Sequence, residues 1–210
     1  MVPDVRHFDP DVAVAQVVPL LWRRGWSHTG MQDIVSATGL SRSSLYATFG
    51  SKSALCLNAL RRYLADHADP AFRELETDGR GLPAIAAFFD QLITARCSGP
   101  HARWGCLATN LQIAAEGADP DVRTVLDEHH QHLVAALATA LRAAEQAGQL
   151  HEDVVIGASA EHLALLAQGV NLRSRAGAEP SSLRWAVEAA LGALRRPGSH
   201  ATPGPEMSPG

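Results

Sequence analysis

The sequence predicts an all-α fold, with an N-terminal three-helix helix-turn-helix domain followed by a larger helical domain. Three observations carry this prediction. Aromatic residues make up only 5% of the 210 residues, alanine is abundant, and no stretch alternates apolar and polar residues as a strand would. Residues 29–52 hold two short helical segments around a glycine, which is the spacing of a helix-turn-helix. After residue 52, apolar residues recur at helical intervals over most of the chain.

The first helix is predicted to begin at Asp9. An aspartate N-cap followed by Pro10 and Asp11 is typical of a first helical turn. Apolar residues then follow helical spacing up to Gly25. Pro19 interrupts them and cannot donate to the carbonyl four residues back, so we expect one kinked helix there and not two separate helices.

The first helix of the helix-turn-helix is predicted to begin near Thr29. Thr29 can act as its N-cap, and Gln32, three residues later, would complete a capping box. A small apolar set follows, and Gly39 allows the positive φ that ends such a helix.

The second helix is predicted from Arg42 to about Thr48. Ser41 can cap its N-terminus, and Gly50 stops it. In proteins with this motif the second helix enters the major groove of DNA, so the motif predicts double-stranded DNA as a partner.

Six further helices are predicted from apolar periodicity and from the glycine and proline breaks between them. They cover residues 52–67, 83–97, 102–116, 121–147, 153–175 and 181–195. Between the first two, Asp69, Pro70 and the glycine-containing cluster at 77–81 predict a looser segment of chain.

The chain is expected to divide into two domains and a tail. A DNA-binding domain covers residues 1–50, a C-terminal domain covers 51–196, and the Pro-, Gly- and Ser-rich residues 197–210 are expected to be disordered. The net charge is −4, but it is unevenly distributed. Residues 1–65 hold seven basic and four acidic side chains, a net charge of +3, which leaves −7 for the remainder. A basic module on an acidic body suits a phosphate-facing N-terminal domain.

Composition also bears on membrane association, disulfides and location. No run of 18 or more apolar residues exists, so a spanning helix is not expected. The first residues lack the layout of a signal peptide. Three cysteines, Cys56, Cys97 and Cys106, are too few and too irregularly spaced for a disulfide scaffold or a zinc site. A cytoplasmic protein fits best.

Catalysis and metal binding find no support in the sequence. There is no phosphate loop, nucleophile elbow, zinc-protease motif or dinucleotide fingerprint, so an enzyme and a cofactor are not expected. Glu128 and His132 share a helix face at i, i+4, but no second cluster supplies further ligands. A solvated helix face or a polar pocket wall is the preferred interpretation.

Several stretches resemble the tetracycline-repressor (TetR) family of transcriptional regulators. The resemblance rests on residues 8–10, 21–26, 29–34, 38–41, 44–52 and 54–55. Residues 104–110 and the segment after residue 163 resemble one branch of that family. Two features depart from it: Pro19 inside the first helix, and Ala47-Thr48 in place of a larger pair. The second departure puts base preference in doubt.

The resemblance implies a homodimer in which each subunit has a DNA-binding domain and a ligand-binding and dimerisation domain. Dimerisation is expected through the helices at about 153–175 and 181–195. The DNA would be a palindromic operator, and an unidentified small molecule would act as effector. On this basis we expect a ligand-responsive regulator, with repression and release by an inducer preferred.

Four residues of the second helix's N-terminal turn are placed to read DNA: Ser41, Arg42, Ser43 and Ser44. The guanidinium of Arg42 can bond guanine O6 and N7 together, and a phosphate contact is its alternative. Ser41 is expected to be both a cap and a phosphate donor.

Phosphate contacts are expected from Thr29, Tyr46, Thr48 and Lys52. Lys52 is the only lysine, and a cation at a helix N-terminus opposes the macrodipole, so a phosphate partner would explain it. Thr29 can offer its N–H and its hydroxyl. Tyr46 resembles the family's phosphate-contacting tyrosine, with core packing as the alternative, and Thr48 lies near the helix end.

A ligand cavity is expected in the C-terminal domain. Its candidate wall residues are Phe88, Phe89, Trp104, Cys106, Asn110 and His129, with ordinary core packing as the alternative. Cys106 follows a glycine early in a predicted helix, where an exposed thiolate would be stabilised. A sensor thiol, with Cys97 as a second one, is therefore a hypothesis, and a buried small apolar residue is its alternative.

Two other functions remain open from the sequence. One is a transcriptional activator, which these residues cannot distinguish from a repressor. The other is a helical small-molecule-binding protein whose N-terminal helices are only structural. Alanine substitution at Arg42, Tyr46 and Lys52 separates this second possibility, because only a regulator would lose DNA binding while keeping its fold.

Overall fold

The computed structural model describes residues 8–113 and 119–197, and within these ranges the chain is almost entirely helical. The helices are α1 (Pro10–Arg24), α2 (Met31–Thr38), α3 (Arg42–Phe49), α4 (Lys52–Tyr63), α5 (Asp69–Thr77), α6 (Leu82–Cys97), α7 (Leu107–Ile113), α8 (Pro120–Gln146), α9 (Ile156–Arg175) and α10 (Pro180–Leu194). A π-helical segment, Leu64–Ala68, joins α4 to α5. The described residues contain no strand, only an isolated bridge between Leu150 and Arg195. The all-α prediction is confirmed.

Helix α1 begins at its predicted cap and is a single helix. The Oδ1 atom of Asp9 accepts a hydrogen bond from the N–H of Asp11 at 2.9 Å. The helix continues through Pro19, which confirms that the proline does not divide it. It ends at Gly25, whose φ of 81° favours glycine.

The N-cap of α2 is Gly30, so the prediction of Thr29 as cap is wrong. The N–H of Gly30 donates to the carboxylate of Asp33 at 2.8 Å, and Asp33 thus takes the role predicted for Gln32. Thr29 cannot cap the helix because its hydroxyl turns back and donates to the carbonyl of Gly25 at 2.8 Å.

The other predicted ends of the helix-turn-helix are confirmed. Gly39 ends α2 in the left-handed conformation with a φ of 66°. Ser41 caps α3 by accepting from the N–H of Ser44 at 3.1 Å, and Gly50 follows the last turn. Ser51 caps α4 in the same way, by accepting from the N–H of the residue three positions later.

Most of the segment predicted to be loose is helix α5, and only residues 78–81 at its end are not helical. Phe72 and Leu75 are buried at helical spacing and pack in the core of the C-terminal half. Pro70 is compatible with this helix because it lies in the first turn. The N–H groups of the first turn have no acceptor within the helix, so the N–H that proline lacks is not needed there. Helix α4, the π-helical segment and α5 therefore follow one another without a loop.

The helix predicted over residues 102–116 begins only at Leu107. Arg103 and Gly105 have φ angles of 64° and 67°, which a right-handed helix cannot contain. Trp104 and Cys106 accordingly precede the helix. The predicted end of this helix, residues 114–116, and residues 198–210 of the predicted tail lie outside the described residues. Helices α6, α8, α9 and α10 begin and end within three residues of their predicted limits.

Two hydrophobic clusters form the core. One joins α1–α4 to α7 and the first turns of α8, and the other joins α5, α6, α9, α10 and the remainder of α8. Helix α4 buries Leu55, Ala59 and Leu60 in the first cluster, so packing continues across the predicted domain limit at residue 50. No helix of the described residues is long and apolar enough to cross a membrane.

Candidate DNA interface and effector cavity

Helix α3 is anchored by Leu45, with Phe49 partly buried beside it, and exposes most of its other side chains. Leu45 is the only fully buried residue of this helix and anchors it on the first cluster. Arg42, Ser43 and Thr48 are exposed, and Tyr46 is 41% exposed. The exposure of Tyr46 disagrees with the core-packing alternative for this residue. An exposed polar helix after a tight turn has the shape that fits a major groove.

The first turn of α3 is ordered by its serines. The hydroxyl of Ser41 lies 2.9 Å from that of Ser43 and 2.8 Å from that of Ser44. These contacts hold the N-terminal turn, and no hydrogen bond or ion pair engages Arg42 within residues 8–113 and 119–197. The guanidinium of Arg42 is therefore available to an outside partner.

Thr29 does not have the geometry predicted for a phosphate contact. Its side chain is 1% exposed, its hydroxyl donates to Gly25, and its N–H donates to the carbonyl of Trp26 at 3.2 Å. Both groups that the prediction relied on are therefore used inside the protein. In the first turn of α2, the N–H of Asp33 donates to the carbonyl of Gly30 at 3.1 Å, and the N–H groups of Met31 and Gln32 precede it. Unpaired N–H groups at a helix N-terminus suit an anion.

Lys52 lies at the start of α4 against the ring of Trp26. Its Nζ atom is 4.2 Å from the ring centroid, a cation–π contact that fixes the direction of this side chain. Near the N-terminus of α2, Arg24 pairs with Asp33 at 2.8 Å on the surface. The hydrogen bond from the N–H of Gly30 is the main reason that the pKa of Asp33 is lowered.

A buried junction connects α1 to the C-terminal half. The Nε1 atom of Trp22 donates to the carbonyl of Gly105 at 2.8 Å. Arg175, the last residue of α9, donates to the carbonyls of Trp22 at 3.3 Å, Arg23 at 3.1 Å and Trp104 at 2.7 Å. A cation is favourable at a helix C-terminus, so Arg175 caps α1 from the other half of the molecule.

A cavity of about 60 Å³ lies between the π-helical segment and helices α5 to α9, close to this junction. Its polar wall residues are His67, Arg96, Cys106, Thr109, Gln112, His129, His130, Gln168 and Asn171. Its apolar wall residues are Ala68, Ala71, Phe72, Phe88, Leu92, Leu133 and Ala167. No carboxylate is among the described residues that line it. Such a wall disfavours a cationic ligand.

Three of the six predicted wall residues line the cavity and three do not. Phe88, Cys106 and His129 are in its wall. Phe89 is fully buried in the second cluster instead. Trp104 and Asn110 belong to the junction, where the Nδ2 atom of Asn110 donates to the carbonyl of Trp104 at 2.9 Å. The helix that was predicted to carry Trp104 begins only at residue 107.

Sequence reasoning missed the polar residues on α6 and α9 that line the cavity. Arg96 lies in the last turn of α6, where a cation is an ordinary surface feature. Asn171 is buried, and its spacing of four residues from Ala167 and from Arg175 places all three on one side of α9. Asn171, a polar residue on the apolar face of this helix, was the feature of the sequence that could have indicated the cavity.

Cys106 is buried at the cavity wall, directly before α7, with 5% of its surface exposed. Burial by itself would raise the pKa of this thiol. A hydrogen bond from His129 and the positive charge of Arg96 outweigh burial and lower the pKa of Cys106 to about 6. The sulfur is buried, as the alternative interpretation held, but its surroundings still favour a thiolate. The two other thiols differ, since burial raises the pKa of Cys97 and raises that of Cys56 to about 12.

The histidine-rich segment of α8 forms contacts to neighbouring helices. His130 lies 2.9 Å from Glu161 and 3.2 Å from Gln168 on α9. His132 lies 3.4 Å from Glu76 on α5. In the part of the chain that the structure describes, no group of three or more His, Cys, Asp or Glu residues could hold a metal ion.

The outer faces of α9 and α10 carry exposed apolar side chains. Leu165 is 54% exposed and Leu172 is 47% exposed, with Gly169 between them on the same side of α9. Trp185 on α10 is 68% exposed. An apolar stripe of this kind is typical of a protein–protein contact.

Two family models match the chain. One, described as "Tetracyclin repressor-like, C-terminal domain", matches residues 81–190, and the other, described as "Bacterial regulatory proteins, tetR family", matches residues 18–59. Together they cover the helix-turn-helix and most of the C-terminal half.

Relatives and solved structures agree with these matches. The chain is 26% identical over 190 residues to "Uncharacterized HTH-type transcriptional regulator YezE" of Bacillus subtilis (strain 168), covering 90% of the chain and 97% of the relative. It is 25% identical to "HTH-type transcriptional repressor ComR" of Escherichia coli (strain K12), covering 84% of each. Among solved structures, a cysteine mutant of the TetR family regulator CifR, complexed with 26bp double-strand operator DNA, has a TM-score of 0.76 at 26% identity and covers 90% of the chain and 98% of its own. The reduced form of E. coli NemR shares the fold, with a TM-score of 0.77 at 23% identity and the same coverage.

Proposed function

The chain belongs to the tetracycline-repressor family of bacterial transcriptional regulators, and on that premise we propose that it represses transcription as a homodimer on a palindromic operator. Regulation by DNA binding, and not catalysis, is the activity of this family. The observation that carries the proposal is the exposed, serine-capped N-terminal turn of α3, in which Arg42 has no partner among the described residues. A repressor among the relatives and an operator-bound neighbour support it. A cytoplasmic location is part of the same proposal.

DNA contacts are proposed at two levels. Arg42 reads a base edge from the first turn of α3, with Ser43 and Ser44 beside it. Ser41, Tyr46, Thr48 and Lys52 contact phosphates, which fixes the position of the helix and makes affinity depend on salt. The support is exposure for α3 and the cation–π contact that directs Lys52. At the start of α2, main-chain N–H groups contact a phosphate in place of Thr29.

The homodimer is proposed to form through α9 and α10 of each subunit. The exposed side chains of Leu165, Leu172 and Trp185 support this arrangement, because they would be covered in a four-helix bundle across a two-fold axis. A two-fold dimer presents two α3 helices to two half-sites of a palindrome, spaced by about one DNA turn of 34–36 Å or a multiple of it.

The effector is proposed to act at Cys106. The thiolate is the nucleophilic form of cysteine, and the neighbourhood of His129 and Arg96 favours it in a cavity next to the α1 junction. The CifR neighbour is a cysteine mutant in complex with operator DNA, which supports a proposal that places the effector at a cysteine. Alkylation of Cys106 by an electrophile would then release the operator.

Fluorescence anisotropy with the DNA upstream of the chain's own gene tests the DNA-binding proposal. We expect salt-sensitive binding that prefers this DNA to a scrambled duplex. Arg42→Ala should weaken binding by about tenfold or more, as expected for loss of one bidentate base contact. Arg142→Ala is the matched control, since Arg142 is an exposed cation on α8. Binding that shows no sequence preference, or an equal effect of both substitutions, would contradict the proposal and favour a helical binding protein without a DNA role.

Iodoacetamide tests the effector proposal on the same assay. The sulfur–carbon bond forms at Cys106 while iodide leaves with the bonding electron pair, and the operator should be released. The operator affinity of Cys106→Ser should not change on the same treatment, whatever its starting value, and Cys97→Ser should respond as the unchanged protein does. A loss of affinity on treatment of Cys106→Ser would show that the sensor lies elsewhere. A promoter–reporter measurement with and without the protein distinguishes a repressor from an activator.

A further inference from the structure

Arg96 is a cation without a carboxylate partner in the interior of the molecule. Its Nε atom donates to Oδ1 of Asn171 at 2.7 Å, and its guanidinium donates to the hydroxyl of Tyr63 at 3.2 Å. Its Cζ atom lies 5.5 Å from the ring centroid of Trp22. Within residues 8–113 and 119–197, no Asp or Glu forms an ion pair with it. Hydrogen bonds to neutral groups leave this half-buried charge uncompensated, so a nearby negative charge would stabilise it.

Arg96 and Cys106 line the same cavity, and the positive charge of Arg96 is one cause of the lowered pKa of the Cys106 thiol. The Tyr63 hydroxyl accepts from Arg96, and Tyr63 packs in the same hydrophobic cluster as Cys106. Burial, together with the neighbouring Cys106 sulfur, raises the pKa of Tyr63 well above its usual value, so the tyrosine stays neutral. Arg96, Tyr63 and Cys106 therefore form a connected series from cation to thiolate. Burial and the charge of Arg96 also lower the pKa of His67, which keeps a second cation out of this site.

We propose that the Cys106 thiolate is the counter-ion of Arg96, and that loss of its negative charge is the signal that reaches α1. This inference rests on the proposed role of Cys106 and states how that role is transmitted. Arg96 contacts one residue on each of three helices: Trp22 on α1, Tyr63 on α4 and Asn171 on α9. Trp22 in turn bonds to Gly105, the residue before the cysteine. A guanidinium that loses its counter-ion turns toward water or another anion, and the docking of α1 loosens with it.

The proposal makes operator affinity depend on the charge of the group at position 106 and not on its size. A neutral adduct and an anionic adduct of the same size on Cys106 should therefore differ in effect. The matched substitutions are Cys106→Asp and Cys106→Asn, which place nearly equal volumes at the same site and differ by one negative charge. Circular dichroism and the dimer's elution volume verify that both variants fold and assemble alike.

The experiment measures the operator dissociation constant of both variants at one salt concentration. We expect Cys106→Asp to bind like the unchanged protein and Cys106→Asn to bind at least tenfold more weakly. With Arg96→Gln added, the ratio between the two variants should fall below about twofold, and Arg96→Lys should retain part of it. Equal affinities of the Asp and Asn variants with Arg96 present would overturn the proposal, as would a ratio that survives Arg96→Gln.

A second measurement avoids substitutions at the site. In Cys97→Ser protein, iodoacetate and iodoacetamide each form one sulfur–carbon bond at Cys106 with loss of iodide, but only the first adduct carries a carboxylate. Cys56 should not compete, because burial raises the pKa of its thiol to about 12. The amide adduct should weaken operator binding at least fivefold more than the carboxylate adduct, and equal weakening would contradict charge sensing. If neither adduct changed binding while the Asp and Asn variants still differed, the sensor role of Cys106 would fail and its pairing with Arg96 would stand.

Discussion

The indole Nε1 of Trp22 donates a buried hydrogen bond to the main-chain carbonyl of Gly105, 83 residues away in sequence, at 2.8 Å. Trp22 belongs to the helix that supports the helix-turn-helix, and Gly105 directly precedes the cysteine at the cavity wall. One hydrogen bond therefore links the two sites. Any movement of the main chain at Cys106 therefore also displaces the adjacent Gly105 carbonyl, which accepts the hydrogen bond from α1.

Removal of this hydrogen bond should destabilise the protein. Trp22→Phe keeps an aromatic ring but leaves the buried carbonyl of Gly105 without its donor, which costs about 1–3 kcal/mol in addition to the lost ring volume. Urea unfolding at fixed protein concentration measures the change. Trp104→Phe is the comparison, because the Trp104 ring N–H has no hydrogen bond among the described residues. A smaller loss of stability for Trp22→Phe than for Trp104→Phe would contradict this account.

Glycine is required at position 105 for two separate reasons. Its φ is +67°, and a Cβ atom there would lie 3.0 Å from the carbonyl oxygen of Asn171 and 3.4 Å from Cβ of Arg175. Gly148 has nearly the same φ, +66°, with nothing within 4 Å of an added Cβ. Gly148→Ala should therefore cost only the backbone strain of about 1–2 kcal/mol. Gly105→Ala should cost about 1–3 kcal/mol more, because the junction must open to admit the methyl group. Thermal unfolding of the two variants side by side checks the difference, and equal costs would mean that the junction is not tightly packed.

Stability should depend on pH through Cys106. The pKa of this thiol is lowered from 9.0 to about 6 by His129 and Arg96, which outweigh burial. Between these values the unfolded chain holds a proton that the folded chain has released, so the free energy of unfolding rises with pH. The slope approaches about 1.4 kcal/mol per pH unit for one group. The contribution is complete above pH 9.0 and is lost as the pH falls through about 6.

Urea unfolding at pH 6.5 and 8.5 measures this contribution, with Cys106→Ser as the control. The unchanged protein should gain about 2 kcal/mol relative to the serine variant over this interval. Parallel pH profiles of the two proteins would show that the thiol does not ionise in the folded state.

The proposed dimer interface predicts a loss of assembly when a charge enters the apolar stripe. Leu165→Glu would place a carboxylate where two copies of α9 meet, and an unpaired charge buried at an interface is strongly unfavourable. Sedimentation velocity should show monomers, and operator affinity should fall by more than tenfold because one subunit reaches only one half-site. Val12→Glu, at an apolar side chain of α1 that is 55% exposed, is the control and should remain dimeric. If Leu165→Glu remained dimeric, the proposed interface through α9 would be contradicted.

The sequence predicted the helix-turn-helix well because its boundaries are set by local chemistry. Ser41, Gly39 and Gly50 cap or stop their helices through groups within four residues, so their roles can be read from spacing. Thr29 was misassigned although it lies in the same motif. Its hydroxyl had two acceptable uses, and the loop conformation selected the carbonyl of Gly25.

The cavity was predicted less completely because its wall is assembled from distant segments. Cys106 and His129 were identified as wall residues, but the partner that lowers the pKa of the thiol, Arg96, comes from a third helix. The turn before α7 also could not be predicted. It depends on a positive φ at Arg103, a residue whose type gives no indication of that conformation.

The π-helical segment Leu64–Ala68 determines how the buried face of α5 is rotated about the helix axis relative to the buried face of α4. A π turn closes on i→i+5 bonds and holds about one residue more than an α turn. Positions after it are therefore rotated by about 100° from the register that α4 would otherwise impose. That offset lets one uninterrupted rod bury Leu60 in the N-terminal cluster and Phe72 in the other. Deletion of one residue between 64 and 68 would therefore rotate the buried side chains of one cluster away from their partner helices.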